Sequence, residues 1–182
     1  CADAAMTRFG YTFGGWYSNK ECTGNQFTFG NPLTKKTTIY AKWIPNTTAN
    51  YTIIIWKQNL AANGYDFVRT ISLEGNVGST INTVSSQGTG DNIYARINGT
   101  NYQYTGFKLD HYDRNVTILT EGTSVVNVYY NRRSYTLTFR KYQYSGTTYK
   151  TITALYQQPI GSNFPISVNG DNTYRWEPHN SS

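Results

Sequence analysis

Apolar and polar positions alternate along several stretches of this chain with the period of a half-buried strand. Val126, Val128 and Tyr130 alternate with Asn127 and Tyr129, which gives one buried face and one open face. Ile39, Ala41 and Trp43 alternate with Tyr40 and Lys42 in the same way. Residues 52–57 are almost all apolar or β-branched, so that strand is expected to be covered on both faces. Residues 67–71 form a second strand, and Asn63-Gly64 between the two is a turn signal, so the pair reads as a hairpin. Residues 102–109 and 124–130 are the third and fourth strands, with a loop at 87–92. In between, Gly78-Ser79 precedes an apolar residue, a pattern that places Ser79 as the N-cap of one short helix.

The pattern recurs. Tyr51-Thr52-Ile53-Ile54-Ile55-Trp56-Lys57 returns as Tyr135-Thr136-Leu137-Thr138-Phe139-Arg140-Lys141, offset by 84 residues. Ile39-Tyr40-Ala41-Lys42-Trp43 lines up with Val128-Tyr129-Tyr130-Asn131-Arg132, and residues 11–17 line up with 102–108. A fixed period means tandem copies of one folding unit. One complete unit spans 51–134. Residues 1–50 match only its second half, and 135–182 only its first half. Residues 46–50 and Arg132-Arg133-Ser134 read as polar linkers. A half-unit presents an unpaired sheet edge, which is unfavourable. The two end segments are therefore expected to complete one another, within a chain or head to tail between chains, or to pack on the central unit.

Composition supports short strands with tight connections. Seventeen Tyr and many Thr suit a pleated, half-buried surface, and 16 Gly with abundant Asn suit turns. The net charge is +6, but the basic residues occur at most in pairs: Lys35-Lys36, Arg132-Arg133 and Arg140-Lys141. Nucleic-acid binding needs them clustered, so it is not expected. No apolar stretch approaches ~18 residues, so no membrane-inserted segment is expected. Two cysteines, Cys1 and Cys22, lack metal-ligand spacing. They leave two alternatives open: a Cys1–Cys22 disulfide in an oxidising compartment, or a free thiol at Cys22 with Cys1 as an anchor or added residue.

Gly10-Tyr11-Thr12-Phe13-Gly14-Gly15-Trp16-Tyr17, then Cys22, Pro32-Leu33-Thr34 and Thr38-Ile39-Tyr40-Ala41-Lys42-Trp43, resemble the closing half of an internalin-type B repeat, the Listeria–Bacteroides repeat. Residues 51–134, with 126–133 running into Tyr135-Thr136-Leu137, are similar to mucin-binding-protein-type repeats, and 135–182 partly so. The resemblance implies an α+β, mostly β fold: tandem β-grasp (ubiquitin-like) modules, each with a small mixed sheet and one short helix. It also implies a modular bacterial cell-surface protein, usually Gram-positive, placed extracellularly at the cell surface or wall. It brings no catalytic residues and no cofactor.

Side-chain chemistry agrees with a non-enzymatic module. Asp110-His111-Tyr112-Asp113-Arg114 is the one dense polar cluster, and it matches no metal-ligand spacing, so it reads as a loop. Trp16, Trp43 and Trp56 read as core. Tyr17, Tyr102, Tyr104, Tyr142 and Tyr144 are the ligand-binding candidates, because tyrosine tolerates half-exposure and presents both a ring and a hydroxyl. The expected role is a stalk, display or adhesion segment. Its expected partners are neighbouring repeats and a host or cell-wall glycan or surface protein. The alternatives are a glycan- or mucin-binding module and an accessory domain of a secreted enzyme.

Overall fold

The computed structural model describes residues 6–140, 147–161 and 165. Eleven strands follow one another: β1 (Tyr11–Tyr17), β2 (Tyr40–Pro45), β3 (Thr48–Gln58), β4 (Tyr65–Asn76), β5 (Val84–Gln87), β6 (Tyr94–Ile97), β7 (Thr100–Tyr102), β8 (Phe107–Tyr112), β9 (Val125–Arg132), β10 (Ser134–Arg140) and β11 (Thr148–Leu155). They form a four-stranded sheet in the order β4-β3-β9-β8, a three-stranded sheet β5-β6-β7, and the two-stranded sheets β1-β2 and β10-β11. Both two-stranded sheets are antiparallel, with Phe13 opposite Trp43 and Leu137 opposite Ile152.

This architecture corrects the expected α+β class and its β-grasp form. The described residues are 52% strand and 3% helical, and the helical element among them is a 3-10 turn, Gly90–Asn92. The segment expected to start a helix is extended. The Ser79 hydroxyl donates back to the Asn76 carbonyl at 2.6 Å, so it is not accepting from the amides of a following turn as an N-cap does. Gly78 N donates to Ile118 O, Ile118 N to Ser79 O and Ile81 N to Val116 O, and Thr80 bridges antiparallel to Thr117. The backbone groups a helix would satisfy internally are taken by a neighbouring strand segment. Between β4 and β8 the chain places β5, β6 and β7. The hairpin β6-β7 turns at Asn98-Gly99, with φ of 45° and 83°, the paired positive values that a type I′ turn requires.

Other boundaries shift as well. The expected third strand is two, because the chain turns between Tyr102 and Phe107, with Phe107 N bonded to Tyr104 O at 3.1 Å. The two expected linkers are strand: β3 already begins at Thr48, and one residue separates β9 from β10. The two recurrences of the Tyr-Thr motif both lie in strands, β3 and β10, each beside the next strand in sequence.

The described residues fall into two compact units. The first, Cys1–Ile55, Val68–Val84 and Tyr112–Val128, buries Tyr51, Ile53, Ile55, Ile118, Val126 and Val128 at 3% exposure or less. Removing each of the five Ile and Val side chains among these from water contributes about 1.5–3 kcal/mol. Its buried polar groups are satisfied. Ser124 Oγ donates to Thr117 O at 2.8 Å and accepts from Leu119 N at 2.9 Å, and Thr120 Oγ1 donates to Gly10 O. Gly10 has φ of +81°, and a Cβ on it would lie 2.1 Å from the Thr120 carbonyl oxygen.

The second unit, Trp56–Phe67, Ser85–His111 and Tyr129–Ser182, is organised around Tyr130. This side chain is fully buried. Its hydroxyl accepts from Ala95 N at 2.8 Å and donates to Tyr102 O at 2.6 Å. Burial holds the phenol well above its usual pKa, so it remains a neutral donor and acceptor.

Two substitutions test these anchors. Tyr130→Phe removes two buried hydrogen bonds, and urea unfolding is expected to lose about 2–3 kcal/mol. Tyr65→Phe, which removes a bond to the half-buried Asn131, is expected to lose under ~1 kcal/mol. Equal losses would contradict the assignment. Gly10→Ala is expected to lower stability by about 1–3 kcal/mol, read in the same titration, through φ strain and the clash with Thr120.

Candidate functional site

The alternation in β9 decides where side-chain chemistry can appear. Val126, Val128 and Tyr130 point inward, so Asn127, Tyr129 and Asn131 share the opposite, half-open face. On that face in the second unit, the His111 ring stacks on Tyr129 with centroids 4.5 Å apart and planes at 21°. Tyr65 meets Tyr129 edge-on at 4.8 Å, and its hydroxyl donates to Asn131 Oδ1 at 2.9 Å. Two residues on from Tyr65, and so on the same face of β4, Phe67 packs edge-on against Trp56 at 6.0 Å. Phe67 is 59% exposed. The Asp110 carboxylate lies 2.6 Å from His111 Nδ1. Burial, with Asp110 and Tyr129 nearby, pushes the Tyr65 phenol above its ordinary pKa.

The face therefore offers aromatic surface flanked by a carboxylate and an amide. That combination suits a ligand with apolar C–H faces and hydroxyl edges, which a sugar ring has. Sequence patterning exposed the two faces of β9 but did not single out Tyr65 or Tyr129, because their partners lie 64 and 18 residues away in the chain. Asp110, His111 and Tyr112 lie in β8 and not in a loop.

A second cluster is cationic. Lys57 Nζ stands 3.8 Å from the Tyr104 ring centroid and 4.9 Å from that of Phe107. Burial, and then the charge of Arg132, hold the Lys57 ammonium below its usual pKa. The Arg132 guanidinium lies over Phe107 at 5.0 Å. It donates to the carbonyls of Gln58, Asn59 and Tyr156 at 3.1, 3.3 and 2.8 Å. Arg133 donates to Phe107 O at 3.2 Å and Asn92 Oδ1 at 3.3 Å. The Arg132-Arg133 pair thus fastens loop and strand ends.

Of the five tyrosines singled out from sequence, three lie among the described residues. Tyr17 is 7% exposed and lies under Lys42 Nζ at 5.2 Å. Tyr102 supplies its carbonyl to Tyr130. Tyr104 meets the Tyr130 ring edge-on at 5.1 Å and carries Lys57 on its own ring. Both are half-buried. Tyr142 and Tyr144 lie outside the described residues, as does Cys1. Cys22 is half-buried at φ of 51°, and any pairing with Cys1 falls outside the described residues. Phe13 packs edge-on between Trp16 and Trp43, at 5.6 Å from each, so those two indoles belong to the β1-β2 hairpin packing.

In the first unit a shallow cleft of about 240 Å³ is lined by Thr80, Ile81, Tyr112, Asp113, Arg114 and Val126, among others. Its carboxylate is engaged: Asp113 Oδ2 accepts from the Asn127 amide at 2.9 Å and from Asn127 Nδ2 at 2.8 Å. Arg114 lies over the Tyr112 ring at 4.7 Å. Among the described residues no three His, Cys, Asp or Glu side chains gather in a way that could hold a metal ion, and no helix is long and apolar enough to cross a membrane.

No curated protein and no solved structure shows significant similarity to the chain. Residues 2–42, which take in β1 and the start of β2, match the family model of the Listeria–Bacteroides repeat domain, a repeat type that occurs in surface and extracellular proteins.

Proposed function

We propose that this chain is a repeat segment of an extracellular bacterial surface protein, acting as a stalk or display module and not as an enzyme. The observation that carries the reading is recurrence. The stretch matching the Listeria–Bacteroides repeat falls on the β1-β2 hairpin, and the sequence of the β3-β4 pair returns in β10-β11. Tandem units of this kind extend or present surfaces, since each contacts chiefly its neighbours. Antibody raised against the chain is expected to label intact cells of the source bacterium, and trypsin applied to those cells is expected to remove the label. Labelling seen only after lysis would refute a surface location.

A second reading, adhesion through a glycan, is favoured by the Trp56, Phe67, Tyr65, Tyr129 and His111 face and by the similarity of 51–134 to mucin-binding-type repeats. Phe67 and His111 are exposed, so alanine at either leaves the core intact. On an array of mucin O-glycans and cell-wall polymers, the chain is expected to bind at least one class. Phe67→Ala or His111→Ala is expected to weaken that binding about tenfold or more, the scale of losing one ring contact in a recognition site. An array without signal would leave the spacer role alone.

A further inference from the structure

Arg132 and Arg133 spend guanidinium donors on the chain's own carbonyls, and Arg114 does not. Among the described residues Arg114 enters no hydrogen bond and no ion pair, and its guanidinium carbon stands 4.7 Å over the Tyr112 ring. Both residues line the cleft of about 240 Å³ in the first unit. The arginine there keeps its five N–H donors for an outside acceptor. Buried Val84 and Val126, at 8% and 2% exposure, and half-buried Ile81 form the floor of the cleft. Exposed Asn82, Arg114 and Asn115 form its rim. Both walls are held by hydrogen bonds within the chain. Asp113 N donates to Asn127 O at 2.9 Å, and Asp113 Oδ2 accepts twice from Asn127. Asn115, at φ of 59°, turns the chain so that Val116 O accepts from Ile81 N at 2.8 Å and ties one wall to the other. A preformed recess with an apolar floor and a few convergent polar groups suits a small ligand, and little ordering entropy is lost in filling it.

We propose that this cleft binds a sugar acid, one ring carrying a carboxylate and neighbouring hydroxyls. The carboxylate matches the guanidinium fork of Arg114, which takes two oxygens at once. The C–H face of the ring matches Ile81, Val84 and Val126. The hydroxyls have partners as well. Asp113 Oδ1, which holds no bond among the described residues, accepts from one, and the amides of Asn82 and Asn115 both donate and accept. A volume below the roughly 300–1,000 Å³ of drug-sized pockets limits the ligand to about one ring. The inference goes beyond surface display and uses no residue of the Tyr129 face.

Amide NMR spectra of the chain, titrated with glucuronate, glucose and acetate, test it. Glucuronate is expected to move the amides of 80–84 and 112–115 with a Kd of about 1 mM, the strength of a ligand with few, partly solvated contacts. Glucose and acetate are each expected to bind about tenfold more weakly or less, since each lacks one half of the recognition. Arg114→Gln is expected to weaken glucuronate by about tenfold and to leave glucose unchanged. Arg114→Lys keeps the charge without the fork and is expected to fall between. Arg114 is exposed, so both variants keep the fold. Phe67→Ala is expected to leave all three titrations unchanged, which separates this cleft from adhesion at the aromatic face. Competition by hyaluronan or by teichuronic acid, a host and a wall polymer that carry glucuronate, then names the source. Shifts confined to other residues, glucose or acetate binding as tightly as glucuronate, or an Arg114→Gln chain that binds like the unaltered one would each overturn the proposal.

Discussion

A single buried phenol bonds two main-chain groups of neighbouring strands at once. Tyr130 has no solvent contact, and its hydroxyl holds the Ala95 amide and the Tyr102 carbonyl. Unpaired buried backbone groups are too costly to be common. The hydroxyl bridges β6 and β7, strands of four and three residues, and its ring meets Tyr104 edge-on, whose own ring carries Lys57. Burial, and then Arg132, lower the Lys57 pKa, and the Tyr104 and Phe107 rings work the other way by favouring the cation.

β9 divides a buried face from a half-open one. One residue in two builds the interior, and the residues between them carry Tyr129 and Asn131 to an open face where His111 and Tyr65 gather. The basic residues do a different job. Arg132 and Arg133 spend their donors on carbonyls at strand ends, which ties β10 to the residues around it and leaves little of that charge for an outside partner.

The strongest periodicities were legible in the sequence. The buried, half-buried alternation of β9 follows its residues one by one, and the apolar run in β3 is a strand with Tyr51, Ile53 and Ile55 buried, although its other face is only partly covered. Ser79 misled because a hydroxyl before apolar residues suits both a helix cap and a turn. The difference lay in residues 116–118, some 38 positions away, whose backbone takes the hydrogen bonds. β5, Val-Ser-Ser-Gln, is too short and too polar to announce itself. The opening of β3, Thr-Ala-Asn, resembles a linker because its residues are exposed or half-exposed. Likewise the aromatic face depends on β4, β8 and β9 meeting, and no local window contains that meeting. The Listeria–Bacteroides likeness was readable from Gly14-Gly15-Trp16-Tyr17 and Tyr40-Ala41-Lys42-Trp43 because those motifs are contiguous, whereas the helix attached to it as an expectation was not in the residues.

The pairing of β3 with β9 spans more than sixty residues of intervening chain. Contacts of such separation carry the loop-closure entropy of everything between them and form late. A polypeptide emerging from its amino end makes the β3-β4 pair early, then holds it with one side bare until Val125–Arg132 arrives. Throughout that interval the nascent strand presents unpaired backbone groups along one edge. Production speed and crowding with sister chains therefore bear on how cleanly this protein matures, since a waiting strand does not distinguish its own late-coming partner from an identical one next door.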